Sequence, residues 1–285
     1  DSHGERIGPE VAQTDRQDTE TVDVNGRLSW QFTDNQKLSF GAQYYNDEQD
    51  SEYGPDYGTG LAVLFGAEPT LNAVKGLDLD TQPRTKRSNF NLQYEHQDLL
   101  GQILNAEAYY RSETGRFYPS ANYLAHSAIP SGGTYIVTQS ETDIDVWGAR
   151  LALQKAFDLG SRSLNLTYGM DYDFEQGSQT AQQYNLATFM ASNGLTLDPQ
   201  NEYVFGPDVD TSKFGLFLQT QFDVTDRLNL QAGIRHERID SEVQDSIPYS
   251  EAMVADAIPT YTPVVLNGGT IKHDATLFNL GAVYH

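Results

Sequence analysis

Residues 164–174 alternate without a break. Leu164, Leu166, Tyr168, Met170, Tyr172 and Phe174 fall on one parity, and Asn165, Thr167, Asp171 and Asp173 on the other. A period of two predicts a strand with one apolar and one polar face. The pattern recurs and predicts about nine strands, at roughly 19–32, 37–48, 84–97, 103–113, 141–157, 162–174, 212–223, 228–240 and 274–285. Most exceed the usual strand length of about 5–6 residues. In 141–157 the alternation changes phase near Val146–Trp147, which points to a β-bulge. No strong helical period appears, although "NLATFMASNGL" (185–195) predicts one or two helical turns.

The connections alternate between short and long. "TDNQ" (33–36), "QDLLGQ" (97–102), "DLGS" (158–161) and "VTDR" (224–227) carry the Asp, Asn and Gly of tight hairpin turns. The segments 49–83, 114–140, 175–211 and 241–273, with 1–18 as part of a further one, predict long loops. Short turns at one end and long loops at the other are the signature of an antiparallel up-and-down transmembrane β-barrel, with short periplasmic turns and long extracellular loops. Aromatic placement agrees with two membrane–water interfaces. Trp30, Phe32, Phe157 and Phe222 lie near the short turns; Tyr44, Tyr45, Tyr109, Tyr110, Tyr172 and Phe174 lie near the long loops. An odd count of about nine strands predicts part of a larger barrel, because bacterial barrels close with an even number. The polar first residues and a last run that stops in mid-alternation likewise read as cuts in a longer protein. A soluble all-β sandwich is the competing fold.

Composition changes this picture little. Apolar residues make up 38% of the 285 residues, yet 17 Tyr and 13 Phe argue against disorder. Mean hydropathy is −0.53, which a barrel tolerates because half of each strand never meets lipid. Forty acids against 18 bases leave a net charge of −22, so a nucleic-acid partner is not expected. The chain has no Cys, which excludes disulfides and thiolate metal sites. Its six His have no ligand spacing, and neither a nucleophile elbow nor a phosphate-binding loop occurs. No enzyme activity, resident cofactor or metal site is expected. The short acidic runs "DLD", "DID" and "DVD" lack the rest of a Ca²⁺ loop.

Against this acidic background one basic cluster stands out. Antiparallel pairing about Leu100 sets Arg84 beside Arg116, Arg87 beside Glu113 and Arg111 beside Asn89. Arg84, Lys86, Arg87, Arg111 and Arg116 thus gather at the long-loop end of one hairpin, with Arg87 and Arg111 on the polar parity. Arg116 leads into Phe117 and Tyr118, and Tyr53 and Tyr57 lie in the preceding long loop. Guanidinium groups beside aromatic rings suit an anionic, partly planar ligand. The residues expected to contact ligand are therefore Arg87, Arg111, Arg116, Phe117, Tyr118, Tyr53 and Tyr57. Two simpler roles compete: pairing with nearby Glu107, Glu113 and Asp98, or contact of the outward bases with lipopolysaccharide.

The run "QPRTKRSNFNLQYEHQDLLGQILNAEAYYRSETGRFYPS" (82–120) resembles the barrel of TonB-dependent siderophore receptors, as do "GLFLQTQFDVTDRLNLQAGIRHE" (215–237) and "ATLFNLGAVYH" (275–285). Within that family the hairpin "AYYRSETGRFYP" is most like receptors for aerobactin-type hydroxamate–carboxylate chelates. The resemblance implies an outer-membrane barrel of about 22 strands filled by a plug. It also implies a ferric siderophore as the transported ligand and a TonB complex that acts through the plug. The plug and the remaining strands are absent from this sequence. The readings left open beside it are a soluble or surface all-β glycan-binding module and a porin- or adhesin-type barrel.

Overall fold

A computed structural model describes residues 17–52, 76–160 and 162–284. Ten strands form one antiparallel sheet: β1 (Gln17–Thr33), β2 (Gln36–Ser51), β3 (Arg84–His96), β4 (Ile103–Arg116), β5 (Ser120–Ala125), β6 (Gly133–Asp158), β7 (Ser163–Tyr184), β8 (Pro199–Thr225), β9 (Leu228–Val243) and β10 (Gly269–Tyr284). Neighbours in sequence are neighbours in space, except that short β5 pairs only with β6, beside β4. Among the described residues two helices lie between strands: α1 (Leu186–Ala191) after β7, inside the expected 185–195, and α2 (Tyr249–Ala257) after β9. The sheet is open, with β1 and β10 at its edges.

All nine expected strands are present, and the hairpin register about Leu100 is as deduced. Arg84 pairs with Arg116, Arg87 with Glu113 and Asn89 with Arg111. The turn works because Leu100 and Gly101 take positive φ (55° and 75°) and the Asp98 carboxylate accepts the Gly101 N–H at 3.0 Å.

Three expectations need correction. The segments 114–140 and 175–211 are mostly strand, because β6, β7 and β8 run for 26, 22 and 27 residues and β5 adds a further hairpin. Their outer parts ("TQSETD", "EQGSQTAQQ") are polar on both faces, so the hydrophobic alternation fades while the ladder continues. The bulge at Val146–Trp147 is not there. β6 pairs without a shift, with Val146 opposite Arg111 and Glu175 and Trp147 opposite Tyr110 and Phe174. The phase change means only that Ile144 and Val146 are apolar residues on the polar face. Finally, Tyr45 and Tyr109 do not join the outer aromatic band. Tyr45 pairs with Asp23 and Arg87, and Tyr109 with Asn91, so both sit on the polar face.

The register divides the sheet cleanly. One face carries Leu28, Phe40, Leu92, Met170, Leu216 and Phe278, all exposed. So continuous an exposed apolar surface marks an interaction with something apolar. Its grooves, such as the one of about 370 Å³ floored by Ala106, Ala108 and Ala149, have almost no polar lining. The other face carries the charges.

Beyond the aromatic band the long-strand end is braced from both sides. On the apolar-parity side, Leu79, Val137, Tyr184, Phe189 of α1 and Leu197 form one buried cluster. Gln139 ties it together, accepting from Thr81 (2.8 Å) and Tyr184 (2.6 Å) and donating to the carbonyl of Phe117 (2.8 Å). On the polar-face side, Leu124, Ile136 and Tyr203 pack against Met253 and Val254 of α2. The sheet core therefore sits not between layers along its whole length but at this one end.

Candidate functional site

On the polar face, β1 to β4 and β6 to β8 floor an open cavity of about 580 Å³ whose polar lining includes Arg27, Asn89, Tyr109, Arg111, Asp173 and Lys213. Glycine shapes it. Tyr109, Gly148 and Asp173 stand in one row across β4, β6 and β7. A Cβ on Gly148 would come within 2.6 Å of the Tyr109 ring and 2.5 Å of an Asp173 oxygen. Without one, Tyr109 lies flat over β6 and its hydroxyl donates to Asp173. The next row repeats the device. Arg235 of β9 crosses Gly215 of β8 to reach Asp171 of β7 with two hydrogen bonds, 2.7 and 2.8 Å, and donates to Glu237 at 3.1 Å. This bidentate pair fixes the wall.

Of the bases that the sequence singled out, Arg87 and Arg111 share this face and Arg116 does not. Arg87 is bound to Glu113 at 2.9 Å. Arg116 lies on the opposite face, against Glu141 at 2.5 Å, with Arg84 3.9 Å from the same carboxylate. Parity decides it: Arg116 shares the even register of Tyr110 and Phe90. Lys86 shares it too, 6.0 Å over the Tyr44 ring. Arg111 is different. It is exposed, lines the cavity and, among the described residues, makes no hydrogen bond or ion pair. Two more cations line the cavity: Arg27, which donates to Gln93 at 2.8 Å, and Lys213, 3.7 Å from Glu175. Phe117 is exposed beyond the end of β4 and Tyr118 is half-buried beside it. Tyr53 and Tyr57 lie outside the described residues. Chemically, the cavity offers three cations (Arg27, Arg111 and Lys213) and an amide-and-phenol lining to an anionic ligand, with Asp173 and Glu175 at one side.

Sequence reasoning missed Tyr109, Asp173, Glu175 and Lys213. Their shared parity was visible, but nothing local joins residues some sixty to a hundred positions apart. It also missed a clasp at the loop end. The Glu251 carboxylate of α2 accepts from the Tyr261 hydroxyl (2.6 Å), from the Val264 N–H (2.9 Å) and from Nε2 of His126 in the β5–β6 turn (3.1 Å). The Ala128 N–H donates to His126 Nδ1 at 3.2 Å, which places the imidazole proton on Nε2, facing Glu251. These donors hold the Glu251 carboxyl at about 2, well below its ordinary 4.5, Tyr261 contributing most. A lowered folded-state value stabilises the clasp fully above about pH 4.5, and that stability is lost as pH falls toward 2. We expect the protection factors of the Val264 and Ala128 amides, corrected for the intrinsic pH dependence of exchange, to fall across that interval, with the strands still protected. The acidic runs hold no cation cage: Asp143 accepts from Thr114 (2.6 Å) and Asp145 from Tyr110 (2.7 Å). Among the described residues no three His, Asp or Glu converge as a metal site would need.

The family model "TonB dependent receptor-like, beta-barrel" matches residues 23–285. The chain belongs to this family. Along its whole length this receptor-barrel chain is 31% identical to the rhizobactin receptor of Rhizobium meliloti (strain 1021) and 29% identical to the ferric aerobactin receptor of Klebsiella pneumoniae. It spans 37% and 38% of those proteins respectively. Among solved structures, the ferric-catecholate import receptor Fiu of E. coli K12 in its open form superposes with a TM-score of 0.62 at 13% identity, over 96% of this chain and 46% of that one. The unliganded ferric citrate transporter FecA gives 0.61 at 16%, over 95% and 34%. These likenesses carry the fold: a long-stranded wall of a receptor barrel, which removes the soluble-sandwich alternative.

Proposed function

We propose that this chain is a middle section of the barrel wall of an outer-membrane receptor that takes up a ferric siderophore in a TonB-dependent way. The carrying observation is the family match over 23–285, together with relatives named as rhizobactin and ferric aerobactin receptors that align with the chain from end to end. In this reading the apolar face meets membrane lipid and the polar face lines the lumen. The braced end with α1 and α2 is extracellular, the short turns are periplasmic, and lipopolysaccharide meets the outward rim. The TonB complex acts through a plug supplied by the rest of the protein. The Fe³⁺ chelate is cargo; no bond is made or broken in it and no resident cofactor is required.

The ligand is a net-negative hydroxamate–carboxylate chelate, and Arg111 is its wall contact. Support comes from the exposed, cavity-lining Arg111 guanidinium, which is hydrogen-bonded to no side chain among the described residues, feels Glu113 only through space, and whose planar fork matches a carboxylate. Arg111→Ala in the full-length receptor is expected to weaken ferric-aerobactin binding about tenfold, the size of one charge-assisted hydrogen bond of about 1.5 kcal/mol. Arg116→Ala, on the other face, is expected to leave it unchanged. Fluorescence titration with ferric aerobactin checks both. Equal effects would remove Arg111 from the ligand site, and absence of binding by the wild-type receptor would refute this ligand class.

A further inference from the structure

The strand register puts Asp173 of β7 directly opposite Lys213 of β8 on the polar face. Cβ atoms of such a cross-strand pair lie about 4.5–5.5 Å apart, an easy distance for an ion pair between an aspartate and a lysine. Among the described residues no ion pair joins these two, and Asp173 feels Lys213 only through space. Asp173 leans the other way, across Gly148 of β6, and its carboxylate accepts the Tyr109 hydroxyl of β4.

The detour depends on two neighbours. Gly148 leaves the gap that the Tyr109 ring and the Asp173 carboxylate fill, since a Cβ there would come within 2.6 Å of the one and 2.5 Å of the other. Tyr109 is long enough to span β6 and brings a donor without a charge. Arg235 of β9 does not claim Asp173, because its guanidinium is committed to Asp171 and Glu237.

The effect falls on Lys213. Its ammonium stands 3.7 Å from Glu175, too far for a good hydrogen bond, and the two side chains are 39% and 40% exposed. An ion pair so open to water binds weakly, so the ammonium remains free to meet an anion. Lys213 and Arg111 line the same cavity. Their strands are three spacings apart, roughly 14 Å, so two long side chains can reach one ligand between them. Turned toward Lys213, Asp173 would leave that ammonium between two carboxylates.

We infer that Tyr109 is a positioning residue: by holding Asp173 across Gly148 it keeps the Lys213 ammonium available as a second anion contact beside Arg111. That the anion is a ferric chelate rests on the receptor reading above; the diversion of Asp173 rests on the register and the contacts alone. Tyr109→Phe keeps the ring over Gly148 and removes only the donor, so Asp173 is expected to turn to Lys213. Acetylation of Lys213 by an N-hydroxysuccinimide ester, followed by mass spectrometry on the full-length receptor in detergent without ligand, reads that turn. Relative to Lys86, which lies on the other face, the rate is expected to fall about threefold in Tyr109→Phe, the size of an exposed ion pair. Adding Asp173→Asn is expected to restore the wild-type rate, because an amide has no charge to offer Lys213. A rate unchanged in Tyr109→Phe, or a fall that Asp173→Asn does not reverse, would overturn the positioning role. Titration with ferric aerobactin is expected to follow the same order, about threefold weaker in Tyr109→Phe and recovered in the double variant. Acetylation that responds while affinity stays constant would remove Lys213 from the ligand contacts. Absence of binding by the wild type would refute the ligand class and leave the acetylation result standing.

Discussion

Arg235→Ala in the full-length receptor is expected to destabilise the barrel by about 3–5 kcal/mol, the cost of leaving a buried carboxylate without its counter-charge. Asp171 is 6% exposed and spends both oxygens on the Arg235 guanidinium. Its flanking strands cannot relax to hydrate it, since each is held by a continuous ladder on both sides. Arg235→Lys should recover only part of the loss, because an ammonium cannot make the two parallel bonds. The double variant Asp171→Leu, Arg235→Met should lose less than Arg235→Ala alone, since it removes the buried charge along with its partner. Urea-induced unfolding in detergent, followed by tryptophan fluorescence, ranks the three. If the double variant proves the least stable, the pair contributes specific bonding beyond charge compensation.

Gly215 belongs to the same argument. It sits between Asp171 and Glu237 in the ladder, directly under the arginine that joins them. A glycine inside a strand by itself weakens it. In the fold Gly215 and Gly148 are windows through which a long side chain on one strand reaches a carboxylate two strands away. That reading needs the neighbours, and no sequence pattern supplies them.

What the sequence did disclose follows from local physics. The period of two placed all nine long strands, because one face must stay apolar along each. Hairpin pairing about Leu100 followed from a short turn, since a tight turn fixes the register. The register then placed Arg87 against Glu113 correctly. The face on which Arg116 lies follows from parity alone. Arg116 is an even residue on a strand whose even side is apolar, so it could not share a face with Arg111 unless a bulge intervened, and none does. The strand extensions beyond Trp147 and Phe174 were missed for the opposite reason. Above the aromatic band both faces are wet or covered by loops, so selection for alternation lapses although the hydrogen-bond ladder does not. The clasp at Glu251 was beyond reach altogether, because His126 comes from one outer loop and Tyr261 and Val264 from another, and their approach depends on how the two pack.

The assignment of faces has a sharp test in two adjacent residues of β8. Leu218 lies midway between Phe222, near the short turn, and Phe214, in the outer aromatic band, so it marks the centre of the apolar belt. Gln219 is its neighbour on the polar face, opposite Thr167 and Gly233. Leu218→Arg is expected to destabilise the barrel by about 2–4 kcal/mol, the cost of an arginine facing lipid at the bilayer midplane. Gln219→Arg adds the same side chain at the same depth on the same strand, and is expected to cost well under 1 kcal/mol on a surface already rich in paired charge. Folding of the full-length receptor into phospholipid vesicles, scored by heat-modifiable mobility, compares them. Since depth, strand and chemistry are held constant, only the direction of the side chain differs. Equal penalties would mean that both faces meet the same medium, and the separation into a lipid wall and a charged lumen would have to be abandoned.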